Sequence, residues 1–185
     1  MTREELKKAL TGYKTPFVDE EIFIPRFLNL LEHPRAYHRD HLPGHMTGSA
    51  WILDETAGFV LLTHHAKLNR WLQPGGHADG EENIFEVALK EAREETGLVD
   101  FAVISTDLFD IDIHEIPERH GFPAHDHYDI RILLSAKRNT SLVITEESHA
   151  LEWVSIHDLA ARTGNNQSML RMAEKSRLLF AAEKQ

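Results

Sequence analysis

The chain has 185 residues, of which 42% are hydrophobic and 27% charged, and this composition predicts one globular domain with a substantial core. The net charge of −10 argues against a broad basic surface for nucleic acid, and the absence of cysteine excludes disulfides, zinc-thiolate sites and cysteine nucleophiles. Because no apolar run approaches the ~20 residues that span a bilayer and no secretory signal is visible, we expect a cytoplasmic protein without a membrane partner.

The first 46 residues predict a helical extension. Thr2 and Glu5 have the spacing of a capping box, in which each side chain accepts a hydrogen bond from a backbone N–H at the start of a helix. Apolar residues at helical spacing around Phe27 indicate a second helix, and Pro25 leaves the position of its start open. We expect residues 1–46 to pack as a layer on a main domain formed by residues 47–185.

The main domain is predicted to be an α+β fold, with a mixed β-sheet between helices in an α/β/α sandwich. Short β-prone segments at 49–53 and 59–63 flank a hairpin turn, and further strands are predicted at 101–113, 129–135 and 151–154. Helices are predicted at 84–96 and 168–182, the first with Asn83 as its N-cap and Gly97 as the left-handed residue that ends it.

Three carboxylates share one stripe of the predicted helix 84–96. Glu91, Glu94 and Glu95 are three and four residues apart, so they lie on one face, separate from the apolar stripe. Like charges at this spacing repel, and a bound divalent cation would turn the repulsion into attraction. By itself an acidic stripe is typical of a solvated helix face, so this pattern alone does not indicate catalysis.

The acidic stripe belongs to a longer sequence pattern. Gly76 is followed after five residues by Glu82 and, after seven more, by the segment KEAREETGL at 90–98. This pattern resembles the Nudix box, which ends in Arg-Glu-apolar-any-Glu-Glu-any-Gly-apolar. The departure is Lys90, which stands where the family usually has Arg and offers one point charge instead of a planar fork. The resemblance implies that Lys90 helps to orient a box glutamate.

The resemblance implies a Nudix fold and a hydrolase that cleaves a diphosphate bond in a substrate of the nucleoside diphosphate-X type. It also implies that Glu91, Glu94 and Glu95 bind Mg²⁺, with Mn²⁺ as an alternative ion, and that the Gly76 carbonyl is a further ligand. Glu82 would support this site. The stretch HHAKLNRWLQPGGH and the later HDHYD are similar to a bacterial-type subgroup of the family.

The family does not fix the position of the general base. Glu91 is the candidate within the box. Glu147, six residues ahead of Trp153, is the best candidate in a loop before the last strand, and Glu146 is its rival. The alternative for both loop residues is a solvated turn.

Histidines form a second group of candidates. Asp110, Asp112 and His114 alternate along one predicted strand and therefore share a face, as do His125, His127 and Asp129 on the next strand. If residues 117–124 form a hairpin loop, these two polar faces meet. Three interpretations stay open: a second site for a transition metal at His114, His125 and His127, contacts of these histidines with the substrate, or an ordinary polar sheet face. His77, beside Gly76, is also predicted to line the substrate cleft.

Proteins with related folds have other functions, and features of the sequence bear on each of them. A sensor that binds a nucleotide or an ADP-ribose-like ligand without cleaving it has Lys90 as its only support. An isopentenyl diphosphate isomerase is excluded because that chemistry uses a cysteine, and the acidic charge does not support DNA repair or RNA decapping. The sequence identifies neither the substrate within the class nor the oligomeric state, for which a homodimer is one option.

Overall fold

A computed structural model describes residues 1–119 and 121–182 of the chain. The helices within these ranges are α1 (Arg3–Gly12), α2 (Val18–Leu31), α3 (Ile84–Thr96), α4 (Leu159–Arg162) and α5 (Gln167–Ala182). The strands are β1 (Gly44–Asp54), β2 (Phe59–His65), β3 (Arg70–Leu72), β4 (Gly75–His77), β5 (Ala102–Val103), β6 (Asp110–Ile116), β7 (His125–Ala136) and β8 (Ser148–Ser155).

The sheet is built around a parallel pair of long strands. β1 and β7 pair along their whole shared length, from Gly44 opposite Asp126 to Asp54 opposite Ala136. On its other edge β1 pairs antiparallel with β4 near its start and with β2 near its end, while β7 pairs antiparallel with β6 and β5. β3 and β8 both pair with β2. The predicted mixed sheet is therefore confirmed.

Alternating side chains of β1 divide the core into two faces. Ala50 and Ile52 pack with Ala88 and Ala92 of α3, so this helix covers one face of the sheet. Trp51 points to the opposite face, where α5 packs. The Trp51 indole N–H donates to Ser176 Oγ on α5 over 3.0 Å. Because successive residues of a strand face opposite sides, this alternation produces the predicted sandwich of helix, sheet and helix.

The N-terminal extension is packed on the main domain. Its helices bury Leu6, Leu10 and Phe27 in one cluster with Met46 and Ile130 of the sheet. The capping box of Thr2 and Glu5 is present, and α2 begins at Val18 and continues through Pro25. The boundary after residue 46 stays a prediction, although β1 begins three residues earlier, at Gly44.

A buried ion pair fastens this extension to the rest of the protein. Glu20 of α2 is fully buried and pairs with Lys175 of α5. The same carboxylate accepts a hydrogen bond from the backbone N–H of Ile111 over 3.1 Å. The Glu20 carboxylate therefore joins α2 to both α5 and β6.

The strand predicted over 101–113 is wrong as one continuous element. The structure divides it into β5 and β6, and residues 104–109 between them belong to neither strand. The Ser105 hydroxyl accepts a hydrogen bond from the backbone N–H of Asp107, which is a local turn that competes with strand pairing. In the loop between β6 and β7, Arg119 and Phe122 exchange backbone hydrogen bonds, whereas His120 lies outside the described residues.

Candidate active site

Helix α3 has the ends that the sequence predicts. The Asn83 side chain accepts a hydrogen bond from the backbone N–H of Glu86, and Gly97 adopts a left-handed φ of 73°. Between these ends, Ala88 and Ala92 of the apolar stripe pack with Ala50 and Ile52 of the sheet. Glu91 and Glu95 project from the side of the helix that lies next to β4.

Two glycines of β4 bring backbone close to the carboxylates. The Gly75 N–H donates to Glu95 Oε1 over 3.0 Å. At Gly76, a Cβ atom would lie 2.6 Å from both Cδ and Oε2 of Glu91, so the carboxylate of Glu91 occupies the space that any other side chain would need. The glycines therefore permit the carboxylates of Glu91 and Glu95 to lie against β4.

We expect Gly76→Ala to displace the Glu91 carboxylate and to weaken Mn²⁺ binding by about 10–100-fold, the loss typical when the support of a metal ligand is disturbed. The fold should survive, because the displaced group is the end of a flexible side chain. Isothermal titration calorimetry with Mn²⁺ measures this change in affinity. Gly12→Ala is the matched control, since its Cβ would meet nothing within 4 Å. Unchanged Mn²⁺ affinity in Gly76→Ala would remove Glu91 from the proposed ligands.

The carboxylates are crowded and partly dehydrated. Burial raises the pKa of Glu95 to about 7 against the hydrogen bond from Gly75, and the charges of Glu91 and Glu147 raise it further. Burial also raises the pKa of Glu91, and the charge of Lys90 opposes this shift. Oxygen donors that repel one another in a half-buried cleft fit a hard divalent cation such as Mg²⁺. The residues present therefore suit the ion that the sequence predicts.

The raised pKa of Glu95 predicts a pH-dependent stability of the metal-free protein. The unfolded carboxyl titrates near 4.5 and the folded one at about 7, so the contribution of Glu95 to the free energy of unfolding is complete below pH 4.5 and is lost as the pH rises through 7. We expect Glu95→Gln to show a smaller loss of stability over this range. Urea unfolding of both proteins in chelator checks it, and parallel pH profiles would contradict the prediction.

The remaining box residues lie nearer the solvent. Lys90 Nζ is 3.4 Å from Glu94 Oε2, and both side chains are exposed, so the pair contributes a few tenths of a kcal/mol at most. Lys90 thus contacts one box glutamate. Glu82 Oε1 is 2.7 Å from Arg3 Nη2, a salt bridge that links the start of the box to the N-terminal extension.

Glu147 lies within electrostatic range of two box carboxylates. It immediately precedes β8, and its backbone carbonyl accepts a hydrogen bond from the Ala66 N–H over 2.8 Å. Its side chain is exposed, and its negative charge raises the pKa values of both Glu91 and Glu95. The sequence candidate from outside the box is therefore close to two carboxylates within it.

Arg39 was missed by the sequence analysis. Its guanidinium forms an ion pair with Asp79, and the negative charge of Glu91 helps to raise its pKa. Burial lowers the pKa of His77, and the positive charge of Arg39 lowers it further. An exposed cation from the N-terminal extension therefore lies at the edge of the carboxylate site.

The two polar faces meet as the sequence predicts. In the antiparallel pair of β6 and β7, His114 lies opposite His127 and Asp112 opposite Asp129. The His114 ring is exposed, and its Nδ1 lies 3.1 Å from Asp112 Oδ2. The His125 ring is buried, with its Nδ1 2.8 Å from the Pro123 carbonyl oxygen.

The histidines that come closest together are not the predicted three. His45, His77 and His127 each have a ring nitrogen within 4.8 Å of the others, whereas His114 and His125 are outside this group. The predicted set at His114, His125 and His127 is therefore corrected. The alternation of His45, Thr47 and Ser49 could have placed His45 on a polar strand face. The sequence does not show which strand pairs with it.

The aspartates of the polar face are bound by arginines. Arg131 lies within 3.0 Å of Asp110, Asp112 and Asp129, and Arg171 of α5 adds ion pairs to the first two. Burial alone would raise the pKa of Asp112, but the Arg131 charge and the His114 hydrogen bond hold it well below its usual range. These carboxylates form a buried structural network. The sequence analysis missed it because Arg131, although only two residues from Asp129, reaches Asp110 and Asp112 through strand pairing, and Arg171 reaches them from α5.

Comparison with known proteins assigns the fold to a family. The sequence model of the NUDIX domain matches residues 44–175. The chain belongs to the NUDIX domain family. This confirms the resemblance that the residues Gly76 to Leu98 carry.

Two curated relatives of this NUDIX domain are asymmetrical bis(5'-nucleosyl)-tetraphosphatases. The mouse enzyme is 44% identical over 45 residues, which are 24% of this chain and 31% of that protein. The rat enzyme is 27% identical over 109 residues, covering 56% of this chain and 67% of that protein. The aligned segment thus spans under a third of the mouse enzyme. Together with the family, these relatives support hydrolysis of a pyrophosphate bond as the general chemistry.

Solved structures agree with the fold of the NUDIX domain. A C. elegans Ap4A hydrolase binary complex superposes with a TM-score of 0.61 at 16% identity, covering 74% of this chain and 98% of that one. A NUDIX hydrolase from Clostridium perfringens has a TM-score of 0.54 at 25% identity and covers 73% and 97%. None of the helices in the described ranges combines the length and apolar character that a bilayer crossing requires.

Proposed function

We propose that this NUDIX domain is a Mg²⁺-dependent hydrolase that cleaves a phosphoanhydride bond in a substrate of the nucleoside diphosphate-X type. The observation that carries the proposal is the convergence of Glu91 and Glu95 on the glycines of β4, where burial raises the pKa of both carboxylates. Similarity to two tetraphosphatases, which act on bis(5'-nucleosyl) compounds, supports a nucleotide substrate.

The ion would be held by oxygen donors of the box. These are the carboxylates of Glu91, Glu94 and Glu95 and the carbonyl of Gly76, with Mn²⁺ as an alternative to Mg²⁺. When bound, the ion supplies positive charge that neutralises the diphosphate and acidifies the attacking water. Glu82 acts indirectly in this proposal, because its salt bridge to Arg3 fastens the segment between Gly76 and α3.

Glu147 is the proposed general base. Its carboxylate takes a proton from the attacking water as the water oxygen bonds to phosphorus, and the bond from phosphorus to the bridging oxygen breaks. The departing phosphate carries the electron pair of that bond. The negative charge of Glu147, which acts on both Glu91 and Glu95, supports this role, and Glu91 is the alternative base within the box.

The exposed His114 is the proposed substrate contact on the polar face. Its Nδ1 is held by Asp112, so the ring presents its other nitrogen with a defined orientation. Arg39 supplies a cation on the side of the N-terminal extension. In this proposal the anionic substrate contacts one imidazole and one guanidinium.

We expect Glu147→Gln to lower kcat by about 10²–10⁴-fold, the usual contribution of a positioned general base. Mn²⁺ affinity should stay within a few-fold of the wild-type value, because Glu147 is not a proposed ligand. Glu146→Gln is the matched control and should retain wild-type kcat. Full activity of Glu147→Gln at all pH values would exclude Glu147 as the base; the base would then be Glu146 if Glu146→Gln is inactive, and Glu91 if Glu146→Gln is active.

The function is tested by a substrate screen with Mg²⁺. Diadenosine tetraphosphate, ADP-ribose, a nucleotide sugar and nucleoside triphosphates are incubated in ¹⁸O-water, and the products are analysed by mass spectrometry. The proposal expects Mg²⁺-dependent release of a nucleotide with one ¹⁸O atom on phosphorus. A nucleotide that binds in calorimetry but is never cleaved would overturn the proposal in favour of a sensor.

A further inference from the structure

Three histidines from three neighbouring strands meet at one end of the sheet. His45 of β1 pairs with His127 of β7, and His77 lies on β4, which pairs with the other edge of β1. One ring nitrogen from each of the three lies within 4.8 Å of the other two. The ring centroids are 4.9–5.2 Å apart, so the imidazoles surround a common point.

Two of these rings carry buried nitrogens with no hydrogen-bond partner among the described residues. They are Nε2 of His45 and Nε2 of His127, and the His45 side chain is only 1% exposed. A buried polar atom without a partner is destabilising, and native proteins rarely contain two such atoms in one cluster. The arrangement therefore indicates that another atom occupies this point in the working protein.

The chemical state of the rings suits a cation. His45 Nδ1 lies 3.4 Å from the His41 carbonyl oxygen, so this nitrogen carries the hydrogen and Nε2 presents a lone pair. Burial lowers the pKa of His45 to about 4 and that of His127 to about 2, and the neighbouring imidazoles contribute. Neutral rings at neutral pH do not require proton release before they bind a metal.

We propose that His45, His77 and His127 form a second metal site, which takes a divalent transition ion such as Zn²⁺. Three imidazole nitrogens match the ligand preference of Zn²⁺ and other divalent transition ions, whereas Mg²⁺ prefers oxygen ligands. Three protein ligands leave one coordination position for water or an anionic oxygen.

This site differs from the carboxylate site in its donors but borders it in the chain. His77 directly follows Gly76, whose carbonyl is a proposed ligand of Mg²⁺. The other two histidines, His45 and His127, come from β1 and β7 and contribute no atom to the carboxylate site as proposed. The proposed second metal site can therefore be tested independently of the proposed hydrolysis.

The test measures metal binding in a protein whose carboxylate site is disabled. The double variant Glu91→Gln, Glu95→Gln is stripped with chelator and titrated with Co²⁺ in excess Mg²⁺. We expect one equivalent of Co²⁺ to bind with the visible absorption of nitrogen coordination, and Zn²⁺ to displace it. Adding His77→Ala or His127→Ala should weaken binding by about a hundredfold or more, since even outer-shell changes cost roughly 10–100-fold.

His157→Ala is the matched control, because His157 is exposed in the segment after β8. Circular dichroism establishes that each variant is folded, and neither His77 nor His127 is fully buried. As a second measurement, Zn²⁺ added to the metal-free wild-type protein should raise its Tm and shift the ring ¹⁵N resonances of the three histidines. If no equivalent of Co²⁺ binds tightly, or if Co²⁺ binding survives both histidine variants, the proposal is overturned. An ordered water would then occupy the point between the three rings.

Discussion

Glu95→Gln is expected to lower kcat by about 10²–10³-fold or more, the loss found when one positioned electrostatic group is removed from an active site. Glu95 is the most buried of the box glutamates, and one of its oxygens already accepts a hydrogen bond from Gly75. Gln keeps nearly the same shape but removes the negative charge that a divalent cation needs. The loss should therefore appear in Mn²⁺ affinity as well as in kcat.

The measurement is hydrolysis of the best substrate from the screen, with Mn²⁺ affinity measured in parallel. Glu86→Gln is the matched control, because Glu86 lies on the same helix with its side chain exposed. Thermal unfolding in chelator separates activity from folding, since Glu95→Gln should be at least as stable as wild type above pH 7. If the variant retains its activity and its Mn²⁺ affinity, the assigned metal site is wrong.

Arg131→Met is expected to lower the free energy of unfolding by about 3–5 kcal/mol, because it removes one partner of a buried ion network. Arg131 is 2% exposed, and its three guanidinium nitrogens bind one oxygen each of Asp110, Asp112 and Asp129. Met fills a similar volume but leaves buried carboxylates with less compensating charge. For a chain of this length the expected fall in Tm is roughly 6–20 °C.

Differential scanning calorimetry in chelator at pH 7 measures this fall. Arg177→Met is the matched control, because Arg177 pairs with Glu174 on the exposed face of α5 and should change Tm by less than about 2 °C. The comparison isolates burial, since both variants remove an arginine that pairs with a carboxylate. A similar small change in the two variants would show that the buried network contributes little to stability.

The parts of the fold that the sequence predicted well depend on local interactions. The two ends of α3 follow from Asn83 and Gly97, which act within one turn of the helix. The hairpin after β1 follows from Asp54, whose carboxylate accepts backbone hydrogen bonds from Gly58 and Phe59. By contrast, the strand predicted over 101–113 was wrong, because apolar residues alone do not reveal where a turn such as Ser105–Asp107 interrupts pairing.

The candidate site was predicted in part for the same reason. Glu91, Glu94 and Glu95 lie within one helix, so their shared stripe could be read from their spacing. The position of Glu147 could be expected from a family pattern but not calculated, since it depends on how β8 pairs with β2. Arg39 belongs to the segment that joins α2 to β1, and nothing in its local sequence indicates that it pairs with Asp79.

The amino-acid sequence by itself determined a capped helix with its carboxylate stripe and the glycines that precede it, because each of these depends on residues close together in the chain. Only the tertiary structure decided that Gly76 has no room beside Glu91, and that His45, His77 and His127 meet. The physical reason is strand register: side chains from separate strands become neighbours only when backbone hydrogen bonds align the strands, and that alignment minimises the free energy of the whole fold.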